Sequence, residues 1–164
     1  MEKSITIKEY EEENQEGVLE LILQIQQDEY GIAITSEDQP DLEEIPTFYQ
    51  KGKGNFWGVA EQQGRVIGAI ALLDIGDNRL ALRKMFVHKE FRGSRFRTAD
   101  QLLSQALEWA ESHSVESILL GTTSAFKAAH RFYEKNGFVE VGRSSLPEGF
   151  PVVKVDTKFY QYKI

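Results

Sequence analysis

The chain has 164 residues, a formal net charge of −7 and no cysteine, which excludes a disulfide scaffold, a thiol nucleophile and thiolate metal centres. Its length suits one domain spanning 1–164, and a hydrophobic fraction of 41% is enough to fill a core, so bulk disorder is excluded too. No apolar run approaches the roughly 18 residues that would span a bilayer, and the start Met1-Glu2-Lys3-Ser4 lacks the basic and apolar stretches of a signal peptide, so a cytoplasmic protein without membrane contact is expected.

Ser4 to Lys8 alternates, with Ile5 and Ile7 on one face, as a half-buried strand does. From Glu12 to Glu29 the residues Val18, Leu21, Ile22 and Ile25 recur at helical spacing, and Gly31 ends this helix. A short second helix is read over Leu42 to Lys51, although Pro46 suits only a first turn. Asn55 to Glu61, Val66 to Asp74 and Leu80 to Val87 read as strands of an antiparallel meander, because Gln63-Gly64 and Asp77-Asn78 sit where tight turns belong. Alternation in the third strand places Leu80, Leu82 and Phe86 on one face, Met85 and Val87 on the other.

A loop, Lys89 to Ser94, leads into an amphipathic helix carrying Ala99, Leu102, Leu103, Ala106, Leu107 and Ala110 at helical spacing. Val115 to Leu120 is a short apolar strand suited to parallel pairing. Thr123 or Ser124 is placed to cap a further helix that stops at Asn136-Gly137. Phe138 to Val141 and Val152 to Tyr162 are closing strands, with Pro147, Gly149 and Pro151 marking the loop between them. The order βαα-βββ-α-β-α-ββ predicts an α/β (α+β mixed) domain, a central mixed sheet of about seven strands with helices on both faces.

The net charge hides a division. Residues 1–50 hold two lysines against 14 carboxylates, a net of −12, whereas 51–164 carry a net of +5. Arg79 to Arg97 contains seven basic residues and only Glu90, a net of +6. An acidic molecule can therefore carry a local anion-attracting site, although charge runs usually just face water. The unit that concentrates this charge is a strand, a basic loop and a helix, Leu80 to Ala110. A helix N-terminus offers unpaired N–H groups and the positive end of a dipole, and Arg92, Arg95 and Arg97 add side-chain charge, so a phosphate site is plausible there.

The stretch Met85-Phe86-Val87-His88-Lys89-Glu90-Phe91-Arg92-Gly93-Ser94-Arg95-Phe96-Arg97 resembles the acyl-CoA motif of the GNAT N-acetyltransferase superfamily. The stretch Ala129-His130-Arg131-Phe132-Tyr133-Glu134-Lys135-Asn136-Gly137-Phe138 resembles the family's second helix motif. The match covers about residues 55–141, and the two motifs together are specific where either alone is not. The tail Phe150 to Tyr160 is similar to that of a bacterial GNAT subgroup of unassigned substrate. The resemblance implies the acyl-CoA N-acyltransferase fold, acetyl-CoA as co-substrate and no metal. It implies that the strand matched by Leu80–Val87 splays from Val115–Leu120, and that the gap admits the pantetheine arm along Met85, Phe86 and Val87. The pyrophosphate would then sit on Arg92, Gly93, Ser94, Arg95, Phe96, Arg97 and Thr98. An amine attacks the thioester carbonyl directly. A strand-edge N–H near Phe86 or Val87 polarises that carbonyl, and Tyr133 matches the tyrosine that protonates the leaving thiolate.

Two departures from the family pattern stand out. Its small loop positions are Arg95 and Arg97 here, so the arginines either swing outward and add contacts to phosphate or obstruct the loop. Main-chain donors keep their role provided φ stays in the helical region. A common asparagine is replaced by Phe126, a loss for which Thr122, Thr123 or Ser124 would have to compensate.

Among the other residues, the histidines His88, His113 and His130 span 43 positions and form no metal set. His88 reads as structural, His113 as a helix-end cation and His130 as a surface residue. Glu29 and Tyr30, with Glu43 and Glu44, lie where similar proteins wall the acceptor, so Glu29 and Tyr30 are candidate acceptor contacts; exposed helix charges are the plainer reading. Asp156 or Tyr160 from the tail is also placed to face that cleft. The expected function is acetyl transfer to a primary amine of a small molecule or protein. A non-catalytic CoA- or anion-binding sensor is the second reading. Nucleic acid is not expected as a partner, since few aromatics interleave with the arginines. Dimers are frequent in similar proteins, so a homodimer is among the implied states.

Overall fold

The computed structural model describes residues 4–52, 54–93, 95–124, 126–153 and 156–164. β1 (Thr6–Glu9) leads through a 3₁₀ turn into α1 (Gln15–Leu23), which buries Val18, Leu21 and Ile22. The helix does not stop there. It widens into a π-helix, Gln24–Glu29, closed by the Tyr30 N–H on the Ile25 carbonyl at 3.2 Å. Gly31 then turns the chain at φ +63°. α2 (Ile45–Tyr49) is a single turn with Pro46 in its first positions, shorter than the periodicity suggested because a helix tolerates proline only in its first turn and so cannot start much before it.

β2 (Phe56–Gln62), β3 (Arg65–Gly76) and β4 (Arg79–Val87) form the expected meander. Both hairpin turns need left-handed backbone at two successive residues. Gln63-Gly64 supplies φ 51° and 79°, and Asp77-Asn78 supplies 54° and 59°. α3 (Thr98–Ser112) buries Leu102, Leu103, Ala106 and Ala110. β5 (Ser117–Thr122), α4 (Lys127–Lys135), β6 (Val139–Val141) and β7 (Lys158–Lys163) complete the chain. The closing strand starts at Lys158 rather than Val152, because the N–H groups of Val152 and Val153 are taken locally, by the Phe150 carbonyl and the Asp156 carboxylate, and not by a strand partner. Thr123 and Ser124 do not cap α4; Phe126 occupies that position without a side-chain cap.

The sheet runs β1-β2-β3-β4-β5-β7-β6. Among the described residues only β4 and β5 are parallel, and their ladder holds three pairs, Arg79↔Ser117, Leu80↔Ile118 and Ala81↔Leu119. Past Ala81 and Leu119 the two strands separate. On one face, α3 and α4 pack on Phe56, Leu72, Leu80, Leu82, Leu120 and Tyr160. On the other, α1, the π-helix and α2 pack on Trp57, Val59, Ala69 and Ala71. A third cluster, Ala81, Leu119, Phe150 and Phe159, is covered by the irregular segment rather than by a helix.

Candidate active site

The site begins where β4 leaves β5. Opposite Ile70 the register of β3 and β4 slips, with Ala71 paired to Arg83 but Ala69 paired to Phe86. Lys84 absorbs the extra length at φ +53°, left-handed for a residue with a side chain. The bulge inverts the face order that strict alternation predicts. Met85 and Val87 pack with Leu80 and Leu82 against α3 and α4, and Phe86 joins the opposite cluster. Arg83 and Lys84 consequently lie on one face, reaching Tyr49 and Gln39. The backbone beyond the bulge is aimed by the same ladder. The His88 N–H donates to the Ile67 carbonyl at 2.8 Å, so by antiparallel alternation the groups of Val87 point away from β3 and into the split. The Val87 carbonyl accepts a bond from Arg92 Nε at 2.8 Å.

The basic loop folds back on the opposite layer. Besides Val87, Arg92 binds Glu29 in bidentate fashion at 2.7 and 2.8 Å. Glu29, a candidate acceptor contact, thus clasps a candidate cofactor residue. Ser94 lies outside the described residues. Gly93 takes φ +94° with open space where a side chain would sit. Arg95 is exposed, its guanidinium 5.0 Å above the Phe96 ring. Arg97 precedes α3 at φ 51°, ψ 35°, and its Nε reaches Asp100 at 3.3 Å. The proviso that φ stays helical therefore fails at Arg97: the turn demands a left-handed residue there. Thr98 is buried, its hydroxyl spent on the Phe91 carbonyl at 2.9 Å, so only its main chain is offered to a ligand. A groove of about 380 Å³ runs past Gly93, Arg97, Ala99, Asp100, Phe132 and Lys135. His88 stays structural. Its Nδ1 accepts the Glu90 N–H at 3.1 Å, and burial beside Arg65 pulls its pKa down.

Tyr133 on α4 faces the bulge. Its hydroxyl lies 3.7 Å from Met85 Sδ, and burial pushes its pKa up, so the phenol keeps its proton at neutral pH. His130 is buried rather than on the surface; its Nε2 lies 2.8 Å from the Thr123 carbonyl and ties α4 to β5. His113 ends α3, 2.8 Å from the Trp109 carbonyl.

Among the candidate acceptor residues, Tyr30 reaches from the end of the π-helix to Phe126, ring centroids 4.6 Å apart. Glu43 and Glu44 are exposed. The tail residues separate. Tyr160 is fully buried toward α4 and donates to Glu134 at 2.6 Å, whereas Asp156 lies over Gly121 on the other face. Among the described residues no group of three His, Asp or Glu is arranged to hold a metal, and no helix is long and apolar enough to cross a membrane.

A family model described as the acetyltransferase (GNAT) family matches residues 19–138. This chain belongs to the GNAT family. A GNAT acetyltransferase structure from Staphylococcus aureus Mu50 is 36% identical, with a TM-score of 0.91 over 98% of this chain and 99% of that one. An acetyltransferase structure from Streptococcus agalactiae is 28% identical, with a TM-score of 0.92 over the same shares. A Danio rerio protein named N-acetylaspartate synthetase is 36% identical over 127 residues, 75% of this chain and 44% of that protein. The chain thus spans less than half the length of its N-acetylaspartate synthetase relatives. In this GNAT chain Met85, Val87 and Tyr133 lie together beside the split, whereas Phe86 packs on the opposite face. What the pattern did not reveal is the polar cluster around Lys84, because nothing in a strand-like run such as Leu80 to Val87 marks where a bulge will fall.

Proposed function

We propose that this protein is an acetyl-CoA-dependent N-acetyltransferase that acetylates a primary amine by direct attack on the thioester. The observation that carries this is the three-rung ladder between β4 and β5, which leaves β4 unpaired with β5 from Leu82 to Val87, beside Tyr133. The residues fit acetyl-CoA. An extended arm needs a strand edge that faces away from the sheet, and the main chain of Val87 faces the split, with Met85 and Tyr133 beside it. A pyrophosphate needs N–H donors, and the start of α3 with the Gly93 turn supplies them next to a groove of matching place. Of the two candidate donors to the carbonyl oxygen, Val87 is favoured, since Phe86 directs its main chain at β3. The amine nitrogen forms the C–N bond as the C–S bond breaks. Sulfur takes the Tyr133 proton, and the proton that the nitrogen sheds restores the phenol through solvent.

The acceptor is a small molecule or a protein amino group. The relative's name makes amino acids the first set to assay. A binding module without turnover is the second reading, favoured by one contact: Arg92 already occupies the Val87 carbonyl that a pantetheine amide would use. Calorimetry with acetyl-CoA and thiol release over an amine panel decide between them. Binding heat with turnover is expected, and Tyr133→Phe should lower kcat about 100-fold while leaving acetyl-CoA affinity unchanged. Absence of both binding heat and a thermal shift with acetyl-CoA would refute the enzyme and a CoA-binding module alike, leaving a sensor of another anion. Binding without turnover on any amine leaves the module.

A further inference from the structure

Two cations on β4 are used by neither the phosphate loop nor Tyr133. Arg83 and Lys84 lie past the last β4–β5 rung, side by side on the α1/α2 face because the bulge puts them there. Their positions are fixed from outside the strand. Lys84 Nζ donates to Gln39 Oε1 at 2.6 Å, and Gln39 exchanges two hydrogen bonds with Gln26 of the π-helix, at 2.8 and 3.1 Å. Arg83 Nη1 donates to the Tyr49 hydroxyl at 3.2 Å, which in turn donates to Asp41. Asp41 stands 4.0 Å from Lys84 Nζ, at the limit of an ion pair, and the Lys84 side chain is only 12% exposed. Burial pulls the Lys84 pKa down to about 8, yet the side chain is charged at neutral pH.

Across the split, Asp156 rests on Gly121, two residues past the last rung on β5. A Cβ at Gly121 would come within 2.5 Å of Asp156 Oδ2, so glycine is what permits this approach. The Val153 N–H holds the carboxylate at 3.1 Å; burial pushes the Asp156 pKa up, and that hydrogen bond and the charges of Arg83 and Arg143 oppose the shift. This face of the split therefore carries Arg83 and Lys84 on its β4 wall, with Asp41 behind them, and Asp156 on its β5 wall, with Arg143 near it.

Burying an ammonium beside a second cation, with one carboxylate at the edge of reach, is costly unless an anion completes the set. We propose that the acceptor is an amine bearing a carboxylate, an α-amino acid being the simplest, whose carboxylate is held by Arg83 and Lys84 and whose amino group faces Asp156. This rests on the N-acetyltransferase reading and narrows its substrate. The acidic first 50 residues, net −12, do not set the polarity of this wall. Glu29 is committed to Arg92, Glu43 and Glu44 face water, and the charges that line the split on β4 are positive.

The test compares each L-amino acid with its α-carboxamide, and aspartate and glutamate also with their side-chain amides, in thiol-release assays on the full chain. The best free acid should exceed its amide at least tenfold in kcat/KM, mostly through KM. Lys84→Met should shrink that ratio to within threefold, and Lys84→Arg should restore most of it. Asp156→Asn should raise KM for acid and amide alike, since it acts on the shared amino group. Equal use of acid and amide by the wild type overturns the proposal, as does a carboxylate-free amine such as tyramine or spermidine outperforming every acid. So does an unchanged ratio in Lys84→Met. In those cases turnover persists and only the acceptor class is wrong. Absence of turnover on every amine removes the N-acetyltransferase reading itself.

Discussion

Arg97 stands in left-handed backbone immediately before α3, and replacing it should separate backbone strain from charge. For a residue with a Cβ, that conformation costs about 1–2 kcal/mol. Glycine removes the cost but loses about 0.4–1 kcal/mol to the freedom it gains when unfolded. The pair with Asp100 forfeits at most a few tenths of a kcal/mol, because the Arg97 side chain is 69% exposed. Arg97→Gly is thus expected to lie close to or slightly above the wild type in stability. Arg97→Ala keeps the strain and loses the pair, so it should fall below the glycine variant by about 1 kcal/mol, or roughly 3 °C in Tm for a chain of this size. Urea and thermal unfolding of the three proteins measure the order. Alanine matching or exceeding glycine would refute the argument that the turn itself demands the left-handed residue. Calorimetry with acetyl-CoA on the same variants adds a second separation. Both lack the guanidinium, so a shared loss of affinity reports its charge, and a difference between them reports the loop backbone.

Lys84 should leave a signature in the pH dependence of stability. Its pKa is about 8 in the folded protein against an ordinary 10.5, so between those values the unfolded chain holds a proton that the folded one has shed. Stability from this group therefore rises with pH across that window, by about 1.4 kcal/mol per pH unit. Urea unfolding at pH 7.5 and 9.5 should show the wild type gaining about 2 kcal/mol on Lys84→Met; a flat difference would mean that the ammonium is not desolvated. Gly149→Ala should destabilise by about 1–3 kcal/mol, since its Cβ would lie 2.5 Å from the Ile75 carbonyl oxygen, a main-chain atom that cannot swing aside. A loss under about 0.5 kcal/mol in urea unfolding would show that the covering segment yields.

The parts of the fold legible in the sequence are those whose signal is local. Gln63-Gly64 and Asp77-Asn78 announce hairpin turns because few residue pairs accept two left-handed conformations in succession. The spacing from Ala99 to Ala110 announces a helix because it lasts for several turns. The β4 bulge has no such signal. It arises from the register between β3 and β4, a long-range property, and it reversed the faces expected for Met85, Phe86 and Val87. His130 was misplaced for a related reason: a polar residue goes inside when a main-chain carbonyl waits there, and the Thr123 carbonyl is positioned by another element. At the candidate site, the motif residues on β4 and α4 were foreseen by resemblance. Glu29 as the partner of Arg92, and Lys84 within the Gln26–Gln39–Asp41 cluster, were not, because each joins segments far apart in the chain.

The short ladder between β4 and β5 has a mechanical side. The sheet is two half-sheets, β1-β2-β3-β4 and β5-β7-β6, joined by the three residue pairs of β4 and β5 and bridged beyond them by the Tyr30–Phe126 contact. An extended arm lying along Val87 would supply rungs that the polypeptide itself omits. Its binding energy then counts toward keeping the halves together, as RT ln(1 + [L]/Kd), about 2.7 kcal/mol at a hundredfold excess over Kd. The ligand is in this sense a missing strand, and amide protons of β4 and β5 near the split should exchange fastest when it is absent.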